Sequence, residues 1–214
     1  MFEFMDVGYG SMLSVPDLRI GDEQITSLVG VSGSGKTTVL RLLNKMISPT
    51  RGKIFFQGVC LEQINPVQHR RNVVMLSQVP VIFKGTIRDN LCVGLRFQER
   101  KAPEDTALNR ILKDVRLAKS LDLNAARLSG GERQRLALAR VLLLDARVYL
   151  LDEPSSALDD DTEEFIFDML TSHARQTGKT IVMVTHSRII ARRYADVRIE
   201  MADGKCVQRA CPHE

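Results

Sequence analysis

Apolar residues fall in short regular groups along the chain, each bounded by polar or turn residues. Gln24 to Val29 is a compact apolar run that reads as a buried strand, closed by Gly30. From Gly35 to Met46, the residues Val39, Leu42, Leu43 and Met46 recur at helical spacing, and Pro49 and Gly52 punctuate the end of that helix. Lys53 to Gln57 and Val73 to Ser77 read as short strands. From Gly85 to about Leu128 the texture turns polar, charged and helical in spacing. Ser129 to Leu144 reads as a strong helix, Val148 to Leu151 as a continuous apolar strand, Asp159 to Gln176 as a helix, and Thr180 to Val184 as a β-branched strand. Strands alternating with helices predict an α/β fold with a mostly parallel sheet covered on both faces. The block from Gly85 to Leu128 reads as a helical insertion into that layer. No internal repeat and no low-complexity linker interrupts the pattern.

Composition narrows the class. The chain has 214 residues, 44% of them hydrophobic and 26% charged, which suits one globular domain or one domain with a small subdomain. No apolar run reaches the length of a membrane span, and the start Met1 to Asp6 has no basic region of the kind a signal peptide carries, so the expected location is cytosolic. The formal net charge of +4 tolerates a polyanion without demanding one. There is no tryptophan and aromatics are 5%, so a stacking platform for nucleic acid is not expected. The four cysteines, Cys60, Cys92, Cys206 and Cys211, form no C-x-x-C pair and read as reduced thiols.

The candidate chemistry begins at Gly30-Val31-Ser32-Gly33-Ser34-Gly35-Lys36-Thr37, which fits G-x-x-x-x-G-K-[ST] between a strand and a helix. Glycines let the backbone wrap phosphate oxygens, N–H groups point inward, and the following helix offers its positive end. Lys36 is expected to reach the β- and γ-phosphates, and the Thr37 hydroxyl to ligate Mg²⁺. The apolar strand from Val148 ends in Asp152 and Glu153. In α/β folds ligands bind at that edge of the sheet, so Asp152 suits Mg²⁺ and Glu153 suits activation of a water. Acids also end strands as plain turn residues; the phosphate loop decides for the functional reading. Leu128-Ser129-Gly130-Gly131-Glu132 opens a helix with an S-x-x-E capping box. A cap does not require two glycines at the first helical positions, where they are costly. Bare backbone there suits an anion, and since the phosphate loop lies elsewhere, that anion is expected to be a nucleotide held by another chain.

In their order, these motifs resemble the ATP-binding subunit of an ATP-binding cassette (ABC) transporter, over nearly the whole chain. The phosphate loop resembles Walker A, Leu128 to Glu132 the LSGGE signature, Leu150 to Pro154 Walker B, and Ser156-Ala157-Leu158-Asp159 the D-loop. Gln78 is similar in position to the Q-loop glutamine, His186 to the switch histidine, and Tyr9 to the aromatic that stacks on adenine. The resemblance implies a P-loop core with an N-terminal antiparallel β part, formed by 1–84 and 129–214, and a helical subdomain at 85–128. It implies ATP and Mg²⁺ as ligands. Tyr9, Gly30, Ser32 to Gly35, Lys36, Thr37 and Thr38 would bind nucleotide; Thr37, Gln78 and Asp152 would hold the metal. Glu153, His186 and Gln78 would act in hydrolysis. Ser129, Gly130, Gly131 and Glu132, with Asp159, would face the nucleotide of a second copy. A separate membrane permease and a place on the cytoplasmic face of the membrane follow from the same resemblance. The stretch from Arg51 through Leu91 resembles most the FetA (YbbL-like) group, which implies metal or iron export. A cassette driving a non-transport machine, in the membrane or soluble, is the alternative.

Overall fold

The computed structural model describes residues 1–210. Cys211 therefore lies outside the described residues. The chain begins with a hairpin, β1 (Phe2–Tyr9) and β2 (Leu13–Ile20), in which Phe2 and Phe4 point inward by alternation and Val7 does so past an irregularity at Asp6, which takes φ 49. Next come β3 (Ile25–Val29), α1 (Lys36–Leu43), β4 (Arg51–Phe56) and the two-residue β5 (Val59–Cys60). α2 (Pro66–Asn72) leads into β6 (Val73–Leu76). Two helices follow, α3 (Ile87–Phe97) and α4 (Asp105–Asp114), and then α5 (Gly130–Leu143). The chain closes with β7 (Val148–Asp152), α6 (Asp160–Thr177), β8 (Thr180–Val184), α7 (Arg188–Tyr194), β9 (Val197–Ala202) and β10 (Lys205–Ala210).

These strands make two sheets. One is antiparallel, in the order β2-β1-β4-β5. The other runs β10-β9-β3-β8-β7-β6, parallel except for β10 at its edge. Alternation along β7 divides the core. Val148 and Leu150 face the layer that holds α1 and the antiparallel sheet, and Tyr149 and Leu151 face α5 and α6. The parallel sheet is thus buried on both faces, which is why β7 and β8 read as unbroken apolar runs.

The block predicted as helical holds α3 and α4, and its two ends meet. Ala125 N–H donates to Gly85 O at 3.0 Å and Ile87 N–H to Leu123 O at 2.9 Å, so the segment leaves and returns through one neck. Thr86 and Asp89 close a capping box at the start of α3. One expectation fails at α1. Met46 is not on its buried face: the helix ends at Leu43, and Met46 is 60% exposed. Lys45 takes φ 57, its N–H bonds Leu42 O at 3.1 Å, and Met46 N–H bonds Arg41 O at 2.9 Å. That pair of bonds is a Schellman ending, in which the left-handed residue turns the chain away from the helix. Cys60 and Cys92 stand in no disulfide, as expected. No helix of the described residues is long and apolar enough to cross a membrane.

Leu150 sits midway along β7, between β8 and β6, with no exposed surface. Leu150→Ala is expected to destabilise the fold by about 2–5 kcal/mol, read as a lower midpoint in denaturant with an unchanged slope.

Candidate nucleotide site

The loop between β3 and α1 is shaped by its own lysine. Lys36 Nζ donates to Gly30 O at 2.9 Å and to Val31 O at 2.8 Å, and lies 3.4 Å from Ser34 Oγ. Its side chain is folded inside the loop, where Lys36 is only 5% exposed. Burial pushes the Lys36 ammonium below its usual range, opposed by the charges of Glu153 and Asp152. Gly35 caps α1 at φ 96, ψ 4, a conformation that strains any residue with a Cβ. Ser32, Gly33, Gly35, Lys36, Thr37 and Thr38 line a cleft of about 280 Å³. Gln78, Glu153 and His186 form its opposite wall.

That wall comes from three neighbouring strands. β6, β7 and β8 are adjacent and parallel, so the residues just past their carboxyl ends share one edge. Gln78 follows β6, Glu153 follows β7 and His186 follows β8. Gln78 Nε2 donates to Glu153 Oε2 at 2.8 Å, and His186 Nε2 lies 2.7 Å from Glu153 Oε1. Each oxygen of the carboxylate therefore has its own partner. Glu153 has φ 48, an unfavourable region for a side chain of this size. Its N–H is held by Val184 O at 3.1 Å, and its carbonyl accepts from Gln134 Nε2 at 3.4 Å. Gln134 is buried on α5, and no sequence pattern distinguishes it from an ordinary helix glutamine.

Asp152 ends β7 at 3% exposure. Thr37 Oγ1 donates to its Oδ1 at 3.1 Å. Burial pushes the Asp152 carboxyl up, and the Thr37 hydrogen bond opposes that shift. Thr37, Gln78 and Asp152 line one cavity. Their donors are hard oxygens and too few for an all-protein cage, which fits Mg²⁺, since that ion keeps waters and phosphate oxygens. Among the described residues no group of three His, Cys, Asp or Glu is placed to hold a metal.

The structure keeps other candidates apart from this cleft. Ser129 caps α5: its Oγ accepts from Glu132 N–H at 3.3 Å, and Ser129 N–H donates to Glu132 Oε2 at 2.9 Å. That backbone bond, with Lys119 beside it, holds the Glu132 carboxyl below the usual range. Gly130 looks into open space, with nothing within 4 Å of where a Cβ would stand. None of residues 129–132 lines the cleft. Asp159 caps α6, accepting from Thr162 N–H at 2.9 Å, and this bond holds its carboxyl low. Tyr9 ends β1 half-buried against the apolar core and does not line the cleft. Met12, 58% exposed in the turn after it, lines the cleft instead. A lone methionine in a turn carries no sequence signal for such a role.

Comparison with known proteins agrees with this arrangement. A family model described as ABC transporter matches residues 13–156. ABC transporter I family member 17 of Arabidopsis thaliana is 38% identical over 194 residues, covering 89% of this chain and 72% of that protein. The spermidine/putrescine import ATP-binding protein PotA of Oleidesulfovibrio alaskensis is 38% identical over 201 residues, covering 92% of this chain. The chain spans 53% of that relative's length. Among solved structures, a dimeric post-hydrolysis state of the ATP-binding cassette MJ0796 bound to ADP and Pi superposes with a TM-score of 0.87 at 26% identity, covering 99% of each chain.

Proposed function

The chain belongs to the ABC transporter family as an ATP-binding, ATP-hydrolysing cassette, and from that premise we propose that it is the motor subunit of a transporter, working as a head-to-tail pair on a separate membrane permease. The observation that carries the catalytic part is the Glu153 carboxylate, held by Gln78 and His186 across the cleft from the phosphate loop. Glu153 is then the base that polarises the attacking water, and His186 positions that water and meets the γ-phosphate. Lys36 exchanges the carbonyls of Gly30 and Val31 for the β- and γ-phosphates, keeping a buried ammonium partnered throughout. Thr37, Gln78 and Asp152 would hold Mg²⁺, which supplies charge neutralisation at the phosphates when bound. Met12, which lines the cleft where Tyr9 does not, would supply an apolar contact to the adenine.

Ser129, Gly130 and Gly131 complete the site of a second copy. What supports this is that none of them lines their own cleft and that Gly130 faces open space. The matched cassette MJ0796 is itself described as dimeric. The block 85–128 serves as a helical subdomain on the core of 1–84 and 129–214, turning about the neck at Gly85 and Ala125. Beside it runs an apolar groove of about 250 Å³ lined by Pro80, Val81, Phe83, Val93 and Phe97, with Phe97 74% exposed. A short amphipathic helix from a permease fits that groove, and Gln78 links it to Glu153. On this reading the protein works at the cytoplasmic face of the membrane. The narrower reading, export of iron or another metal, is supported by the resemblance of residues 51–91 to one group of small cassettes.

Three outcomes test the proposal. Glu153→Gln is expected to slow ATP hydrolysis by about 10²- to 10⁴-fold while ATP still binds; near-normal turnover would refute its role as base. Lys36→Ala is expected to lose ATP binding in a fluorescent-nucleotide titration, and an unchanged affinity would count against the phosphate-loop assignment. Tagged protein purified from detergent-solubilised native membranes is expected to bring a multispanning protein in about equal amount. Recovery only with a soluble partner would instead favour a cassette driving some other machine.

A further inference from the structure

A second cavity, of about 410 Å³, adjoins the nucleotide cleft. Gly30, Val31 and His186 line it together with Arg188, Arg192 and Arg198, and Glu200 is the one acid in its wall. Among the described residues none of these three arginines makes an ion pair, whereas the neighbouring Arg193 is paired with Glu164 at 2.5 Å. Exposed apolar side chains flank the arginines, Val31 at 71% and Ile189 at 76%. Three cations beside uncovered apolar surface make a poor solvated face and a good seat for an acidic partner.

The chain carries such an acidic segment in a suitable place. In the run after the D-loop, Asp159 is used as the α6 cap, Glu163 accepts from Ser155 Oγ at 2.5 Å, and Glu164 holds Arg193. Asp160 and Asp161 are exposed and make no ion pair among the described residues. Their segment is packed on the start of α5: a Cβ on Gly131 would lie 2.8 Å from Ala157 O. Residues 129–131 and 157–161 therefore travel together. On the head-to-tail reading, 129–131 of one copy meets the nucleotide in another copy's cleft, and the attached 157–161 segment is then carried to the rim of that cleft, whose wall residue His186 also lines the arginine cavity.

We propose that Asp160 and Asp161 of a second copy of this chain dock against Arg188, Arg192 and Arg198, forming an ion-paired seam beside each nucleotide. The seam rests on the head-to-tail reading above and adds to it a charged lock specific to these residues. His186 lies in the walls of both cavities, so the seam and the cleft share one ring.

The test uses the full chain carrying Glu153→Gln, with ATP and Mg²⁺, and reads the monomer–dimer equilibrium by sedimentation. Two variants are made on that parent, Arg188→Asp/Arg192→Asp and Asp160→Arg/Asp161→Arg. All four positions are exposed, and retained binding of fluorescent ATP checks folding. Each variant alone has like charges in both seams, and its dimer is expected to weaken by about tenfold or more. An equimolar mixture has matched charges in both seams, and dimerisation is expected to return to within about threefold of the parent. If the arginine variant fails to fold, Arg188→Gln/Arg192→Gln takes its place with a smaller loss expected. The proposal is overturned if Asp160→Arg/Asp161→Arg dimerises like the parent, or if the mixture does not recover. It is also overturned if inorganic phosphate binds the cavity while both variants dimerise normally, which would make it a free-anion site. A parent that never dimerises overturns the head-to-tail reading as well, and is distinguishable from these.

Discussion

A carboxylate at the end of a wholly buried strand has lost most of its water, and Asp152 answers that loss with neighbours rather than solvent. Thr37 donates to it at 3.1 Å, and the Lys36 ammonium lies close enough to act on it through charge. Lys36 is itself buried and satisfied by two carbonyls of its own loop. Either charge alone in such a place would cost several kcal/mol. They are tolerable together because β3 delivers the phosphate loop to the same sheet edge at which β7 delivers Asp152. The parallel topology is thus a condition for the site. Reversing one strand would send its terminal residues to the far edge.

The same constraint assembles the wall of the cleft that holds Glu153. Gln78, Glu153 and His186 are far apart in the chain, yet each follows one of three adjacent parallel strands. Two hydrogen bonds then fix both oxygens of Glu153, and its left-handed backbone is held by Val184 and Gln134. A strained residue with so many restraints costs stability locally and gains a fixed direction for its side chain. Any shift in Gln78 is transmitted to Glu153 through one hydrogen bond. In the proposed transporter, that bond joins the permease groove to the chemistry.

Much of this was legible in the sequence where local signals agree. The Ser129–Glu132 capping box and the acidic start at Asp159 mark the starts of α5 and α6 to within a residue, because such signals are written locally. The runs of β7 and β8 are legible because both faces are buried. The phosphate loop and the two acids at the end of β7, Asp152 and Glu153, are legible because their chemistry needs fixed residue types at fixed spacing. The misses have tertiary causes. Met46 continues the helical period of α1, but Lys45 turns the chain left-handed, held by bonds from its ammonium to Leu61 O and Ile64 O. Helix α2 is short and polar, with only Asn65 and Pro66 announcing it. Met12 and Gln134 reach the site through the folding of the hairpin and of α5, which no local pattern encodes.

What the fold leaves undone is as informative as what it builds. One copy gathers the loop of Ser32 to Thr38 with Gln78, Glu153 and His186 in one cleft, while residues 129–131 do not line it and Gly130 faces open space. If each site is completed by a second copy, hydrolysis must depend on encounters between copies. The direct measurement is the ATPase rate of the wild-type chain against its own concentration, at saturating ATP and well below the dimer dissociation constant. A rate rising with about the square of concentration is predicted, because two chains build each competent site. A strictly linear dependence, with constant specific activity on dilution, would contradict the account and place a complete active site within a single chain.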